Sequence, residues 1–255
     1  MTDEPRTALV DLLHELDPAG IKLMLGGGYG LFLKQEHLAR EGTRTLIPPQ
    51  GWPEARATND IDLLLRPEIV TRAEHMKVIR EALDHLGYRP VEGAKFYQFV
   101  KRLAGSKYVK VDFLGGPLGE LRDASRVSVD TRRIKPKPGV GLHAHRADEA
   151  VAYDLAPIRL PFTGKRSDGE SASCEVLIPQ AFSYLLMKLY AFRDRRMIRR
   201  RSSHNTTPWT SIASWRCFWS MSMRRCSNWQ RSIAMMSMCA KQARLFLVTS
   251  LMPIR

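Results

Sequence analysis

Thr58-Asn59-Asp60-Ile61-Asp62-Leu63-Leu64-Leu65 is the stretch on which the reading of this chain turns. As a strand, it sends Asp60 and Asp62 to one face and Ile61, Leu63 and Leu65 to the other. Two residues along a strand span about 6.8 Å, near enough for both carboxylates to hold one hard cation or a pair of them. Unpaired, the two charges repel by roughly 2.4 kcal/mol at an effective dielectric near 20. A fold keeps that arrangement more readily when a metal or another cation neutralises it. A lone D-x-D is more often a solvated surface pair, so the surroundings must decide.

Upstream, Thr7 to Leu16 carries Leu9, Leu12, Leu13 and Leu16 at helical spacing, closed by Asp17-Pro18-Ala19-Gly20. Ile21 to Leu25 reads as a short strand running into Gly26-Gly27-Gly28, and Tyr29 to Leu38 as a helix with Lys34 near its middle. A strand, a glycine turn and a helix start together expose backbone N–H groups that can cradle phosphate, although three glycines alone are more often a flexible turn. No G-x-x-x-x-G-K-[ST] is present, which excludes a Walker-type loop. Residues 39–57 read as a loop interrupted by prolines, with Arg40, Arg44 and Arg56 able to reach an anion.

Downstream, Pro67 opens a helix expected to run to about Leu86 and stop at Gly87. Phe96 to Arg102 and Tyr108 to Leu114 read as strands. The second alternates well, with Val109, Val111 and Phe113 on one face and Lys110 and Asp112 on the other. An acid at this point, just before Gly115-Gly116-Pro117, can set a third carboxylate beside the first two. Short strands are expected near Val127–Ile134, Val151–Leu155, Ile158–Phe162 and Cys174–Ile178. His143 and His145 read as solvated residues of a basic loop. Pro179 then opens a helix through Arg193, with Lys188 and Arg193 away from its apolar side.

Composition bounds the rest. The chain has 255 residues, 44% of them hydrophobic, enough for a core, and no run reaches 18 apolar residues. Met1-Thr2-Asp3-Glu4-Pro5-Arg6 does not open a signal peptide, so the expectation is a soluble, cytoplasmic protein with no membrane partner. Cys174, Cys217, Cys226 and Cys239 have no C-x-x-C spacing, which indicates neither a zinc site nor a disulfide framework.

The net charge of +14 is unevenly spread. From Arg195 to Arg255 there are 12 Lys and Arg and no acid. Taking those from the total of 40 leaves 28 basic against 26 acidic groups in residues 1–194. Trp209, Trp215, Trp219 and Trp229 also fall in this tail. Sixty-one residues without a carboxylate are foreign to a globular segment, and basic nucleic-acid arms are usually poor in Trp, Cys and Met. A shifted reading frame accounts for the tail better. Trp219-Ser220-Met221-Ser222-Met223 can be written TGG-AGT-ATG-AGT-ATG, and the same letters in another frame contain codons for Glu-Tyr-Glu-Tyr. Extending this from Met197 to about Arg224 with permitted codons gives acids, a helix start and apolar residues at helical spacing.

Taken together, Gly26-Gly27 after a strand, Thr58-x-Asp60-x-Asp62 and a late Asp112 resemble the nucleotidyltransferase superfamily with the polymerase-β-like fold. Arg56-x-Thr58-x-Asp60-Ile61-Asp62, with Pro179 and the helix bearing Lys188, looks most like its AbiEii-type branch of abortive-infection and toxin proteins, over roughly residues 20–195.

The resemblance implies an α+β fold, a mixed sheet flanked by helices with a helical C-terminal part. It divides the chain into a catalytic domain (1–178), the start of a helical region (179–194) and an aberrant basic tail (195–255). It implies transfer of an NMP group from an NTP to a hydroxyl of an RNA such as a tRNA, of a protein or of a small molecule. By that resemblance Gly26, Gly27, Thr58 and Lys188 bind the nucleotide. Asp60, Asp62 and Asp112 hold two magnesium ions, and a cognate antitoxin is a possible partner. An aminoglycoside-type transferase, a nucleotide-binding module without activity and a basic nucleic-acid binder are the alternatives. The sequence departs from the AbiEii pattern after the lysine helix, where an acidic segment is expected and the tail has none.

Overall fold

The computed structural model describes residues 4–42, 51, 59–103 and 107–199, without the side chains of 191–199. Thr58, Arg44, Arg56 and the tail beyond Arg199 lie outside the described residues. Five α-helices lie among the described residues: α1 (Glu4–Leu16), α2 (Gly27–Arg40), α3 (Pro67–Val70), α4 (Ala73–His85) and α5 (Ala181–Arg199). Ten strands form one mixed sheet: β1 (Met24–Leu25), β2 (Asp60–Leu65), β3 (Arg89–Pro90), β4 (Gln98–Arg102), β5 (Tyr108–Gly115), β6 (Val127–Val129), β7 (Arg133–Pro136), β8 (Ala144–Arg146), β9 (Ile158–Lys165) and β10 (Ser171–Ile178). This is the expected architecture, a mixed sheet flanked by helices.

The strand order is β6-β7-β8-β5-β2-β1-β10-β9, with β4 also along β5 and β3 along β4. β2 and β5 run parallel at the centre, each burying alternate residues on one face. On one face Ile61, Leu63, Leu65, Val109, Val111 and Phe113 are almost wholly buried, in a core shared with the apolar sides of α1 and α4. On the other face Leu64 and Met24 pack with Ala147, Ala150, Tyr153 and Leu177 in a second, smaller cluster. The alternation of β2 thus buries its odd positions in the main core. It leaves Asp60 and Asp62 on the side that the small cluster only partly covers.

Several local expectations change. The helix foreseen from Pro67 to Leu86 is two helices, broken after Val70. The Thr71 hydroxyl donates to the Pro67 carbonyl at 2.7 Å, a local side-chain bond that competes with helix continuation. Val127–Ile134 is not one strand but parts of the antiparallel pair β6 and β7, turned by Asp130, whose carboxylate accepts from the backbone N–H groups of Arg132 and Arg133. Val151–Leu155 is a turn, not a strand. Tyr153 is buried there, its hydroxyl donating to the Leu65 carbonyl. His143 is not solvated: it is 9% exposed and stacks on Phe96 with ring centroids 4.4 Å apart. His145 lies in β8, half-buried beside Tyr97.

Candidate active site

The site is assembled by strand register. Parallel pairing sets Asp62 opposite Asp112 and Asp60 opposite Lys110. Directly opposed residues project to the same face with Cβ atoms roughly 5 Å apart. Three carboxylates and one ammonium therefore share a patch on the less covered side of the central strand pair. Sequence periodicity supplies each strand's face. Which residue of β5 meets which residue of β2 is set only by the folded sheet.

The glycine corner abuts this patch. β1 pairs antiparallel with β2, Leu25 opposite Leu63, so the next residue comes alongside Asp62, and the Gly26 N–H donates to the Asp62 carbonyl at 2.8 Å. Gly26 is the N-cap of α2 and Gly27 its first residue, at φ +55°, where a side chain is strained. A Cβ on Gly27 would fall 1.7 Å from Asp62 Oδ2. The helix start and the carboxylate consequently share one space that only glycine leaves open. Free N–H groups at the start of this 14-residue helix make it a natural seat for phosphate.

Helix α5 packs on β1 and α2. The Tyr184 hydroxyl donates to the Leu25 carbonyl at 2.8 Å. Gly30 permits that approach, since a Cβ there would meet Tyr184 Oη at 2.2 Å and the Leu25 carbonyl oxygen at 2.6 Å. Lys34 of α2 is buried, its Nζ 3.3 Å from the Pro179 carbonyl and over the Tyr184 ring. Burial pulls its pKa down to about 7. These contacts fix α5 so that Lys188, one turn beyond Tyr184, acts on Asp62.

The electrostatics follow from crowding. Burial first, then the charge of Asp112, raise the Asp62 pKa to about 6, against the opposing pull of Lys188. Asp112 is raised by burial as well, with Lys110 pulling the other way. Lys110 Nζ lies 3.5 Å from Asp60 and 3.5 Å from Asp112. Burial lowers its pKa, but the two carboxylates outweigh it and the net change is upward. Gln98 donates to Asp112 Oδ2 at 3.2 Å, while Asp112 Oδ1 is buried without a hydrogen-bond partner.

Of the residues singled out in the sequence, the structure brings together Gly26, Gly27, Asp60, Asp62, Asp112 and Lys188; Thr58 lies outside the described residues. Gln98, Gly30 and Tyr184 were given no role by the sequence, and Lys110 was assigned only a face. For Lys110 the signal was present, two residues before Asp112 in an alternating strand. For the others it was not.

Among the described residues, no three Asp, Glu, His or Cys side chains are drawn together as a ready-made metal cage. Magnesium takes one or two carboxylates plus substrate phosphates and water in preference to an all-protein shell. The donor set, hard carboxylate oxygens with an unpartnered buried Asp112 Oδ1, fits such an ion.

One strand away from Asp112 a groove of about 660 Å³ opens between the approach to β4 and the β6–β7 turn. Lys95, Phe96, Tyr97, Arg132 and Arg133 line it, with Glu92 and Asp130. Phe96 is flanked by cations, Lys95 at 5.1 Å and Arg133 at 5.5 Å from its ring centre. Asp130 is held by Lys135 at 2.8 Å, which leaves the groove's balance positive. Burial, then Arg133 and Lys135, depress the His143 pKa to about 4. No helix among the described residues is long and apolar enough to cross a membrane.

No family model matches this chain, and no curated protein matches it. Among solved structures, the chain is similar to the solution structure of the antibiotic-resistance factor ANT(2'')-Ia, at 14% identity over 98% of this chain and 99% of that one, with a TM-score of 0.40.

Proposed function

We propose that the chain is a metal-dependent nucleotidyltransferase of the polymerase-β-like superfamily, which moves an NMP group from an NTP to an acceptor hydroxyl. The observation that carries this is the register of β2 on β5. It opposes Asp62 to Asp112 beside a helix start whose first residue must be glycine. Asp60, Asp62 and Asp112 would hold the magnesium ions, which supply charge stabilisation at the attacking and leaving oxygens when bound. Gly26 and Gly27 present the N-terminus of α2 to the polyphosphate, and Lys188 offers a cation near Asp62. Asp112 is the group placed to take the acceptor proton. The Gln98 side chain, which donates to Asp112 Oδ2, orients that carboxylate, and its neighbour Tyr97 lines the groove.

The groove supports a nucleic-acid acceptor over a polycationic one. Its lysine, two arginines and paired aromatics suit a phosphate chain with flat bases, whereas an aminoglycoside-type acceptor calls for acids. Catalytic domain 1–178 with the helix from 179, an AbiEii-type identity, a toxin role and a shifted frame beyond Asp194 complete this reading. The frame rests on the carboxylate-free tail and is tested by re-sequencing the codons for Arg193 to Met197.

The activity test is transfer of label from each NTP, radiolabelled at the α-phosphate, to total RNA and to protein. Transfer to RNA that vanishes in Asp60→Ala and Asp62→Ala is the expected result. Transfer unaffected by either change refutes the assignment.

A further inference from the structure

Lys110 does something that a plain acid triad does not require. It stands on the same face as the three carboxylates, opposite Asp60 and two residues before Asp112. Its ammonium is equidistant from the two, at 3.5 Å from Asp60 Oδ1 and 3.5 Å from Asp112 Oδ2. The Lys110 side chain is 26% exposed and that of Asp112 16%, while Asp60 is 47% exposed, so the bridge is covered at Asp112 and open to solvent at Asp60. An ammonium between two carboxylates holds the position that a bridging cation would hold.

The oxygens of Asp112 are divided accordingly. Oδ2 is shared by Gln98 and Lys110, while Oδ1 is buried and without a hydrogen-bond partner. Asp62, opposite Asp112, feels the ammonium of Lys188 from α5. Among the described residues, three negative charges thus already face two positive ones. A single divalent cation brings this group close to neutrality. A second would leave a strong excess of positive charge until a triphosphate arrived.

We propose that Lys110 is a built-in cation of the site. With no nucleotide bound, the chain then takes up one divalent ion, on Asp62 and the free side of Asp112, and Lys110 occupies the place of a second. Nucleotide phosphates would draw the Lys110 ammonium from Asp60, and that carboxylate would then be open to a second ion. Lys110 is a positioning residue in this scheme, and the inference rests on the nucleotidyltransferase reading.

The test is binding of manganese to the full chain without nucleotide, followed by the electron paramagnetic resonance signal of the free ion at fixed ionic strength. The expected result is one ion per chain for the parent and for Lys110→Arg, which keeps the charge, and for Lys110→Met a first ion bound at least tenfold more tightly with a second, weaker ion at the vacated place between Asp60 and Asp112. Lys110→Gln is the second neutral variant, should Lys110→Met fail to fold, as judged by circular dichroism. Two equivalent tight ions in the parent overturn the proposal. So do stoichiometry and affinity unchanged, within about threefold, in both neutral variants. If Asp62→Asn abolishes binding in the parent while the Lys110 changes do nothing, only the role of Lys110 fails. If neither the parent nor any variant binds manganese without nucleotide, this proposal falls, while the nucleotidyltransferase reading stands or falls separately on label transfer from the NTPs.

Discussion

Gly27→Ala is the substitution with the most to say about this site. Alanine at φ +55° costs about 1 kcal/mol from backbone strain. Its Cβ would also lie 1.7 Å from Asp62 Oδ2 and 2.7 Å from Cγ, where contacts under 3.0 Å essentially do not occur. The carboxylate must retreat by more than an ångström, while Asp62 Cβ, at 3.1 Å, can stay. Turning that side chain from its rotamer costs about another 1 kcal/mol, for roughly 2 kcal/mol in all. A displacement of about 1 Å at a reacting centre lowers turnover by roughly 100-fold.

Gly26→Ala is the control. Its φ of −101° suits any residue, and its Cβ would sit 3.3 Å from the end of the Leu64 side chain. It should lose at most about 1 kcal/mol, mostly as a poorer N-cap. Denaturant melts of Gly27→Ala in the parent and in Asp62→Ala isolate the contact. With Asp62 shortened, only the backbone strain remains, so the two costs should differ by about 1 kcal/mol. Equal costs in both backgrounds, or a Gly27→Ala protein with unchanged manganese affinity, would refute the packing of the helix start against Asp62.

Three further outcomes follow from the same contacts. Burial holds the Lys34 pKa at about 7, below its ordinary 10.5, so between these values the unfolded chain binds a proton that the native state does not. Parent stability should therefore rise with pH from about 7 to 10, toward a deficit recovered of roughly 5 kcal/mol at most, and Lys34→Met should flatten the rise in melts at pH 7, 8.5 and 10. Asp62 has the opposite sign. With its native pKa near 6 and its ordinary value at 3.8, the native state holds the extra proton between them. Metal-free stability should fall as pH rises through that window, by roughly 3 kcal/mol, and Asp62→Asn should remove the fall. Tyr184→Phe deletes the donor to the Leu25 carbonyl and should cost about 1 kcal/mol by thermal melt, whereas Gly30→Ala, which drives a Cβ into that hydroxyl and into backbone, should cost about 3 kcal/mol.

How much of this could be read beforehand depended on the range of the interaction. The alternation of Asp60 to Leu65 and of Tyr108 to Gly115 is a local property, and both strands lie where it places them. Helices α1, α2 and α5 were legible for the same reason, being amphipathic or capped by glycine and proline. The opposition of Asp62 to Asp112 was legible only as a possibility, because fifty residues separate them and register has no local signature. His143 was misread because a basic sequence neighbourhood says nothing about a ring arriving from Phe96. Val151–Leu155 was misread because β-branched and apolar residues also serve a turn when the core needs a tyrosine there, as it needs Tyr153.

Helix α5 joins these two scales, and it bears on the tail. Its first half is tied to the site through Pro179, Tyr184 and Lys188, so the composition break after Asp194 falls within an element that the site requires. The helix nevertheless continues to Arg199, across the break. Continuation is what Arg-Arg-Met-Ile-Arg would give in any frame, since Arg and Met are strong helix formers and the preceding turns are already anchored. Helicity at 195–199 therefore carries no information about the frame. The carboxylates of the chain stop at Asp194. Every described group of the site lies before that residue, so the chemistry proposed for Asp60, Asp62 and Asp112 does not depend on which frame the tail was meant to be read in.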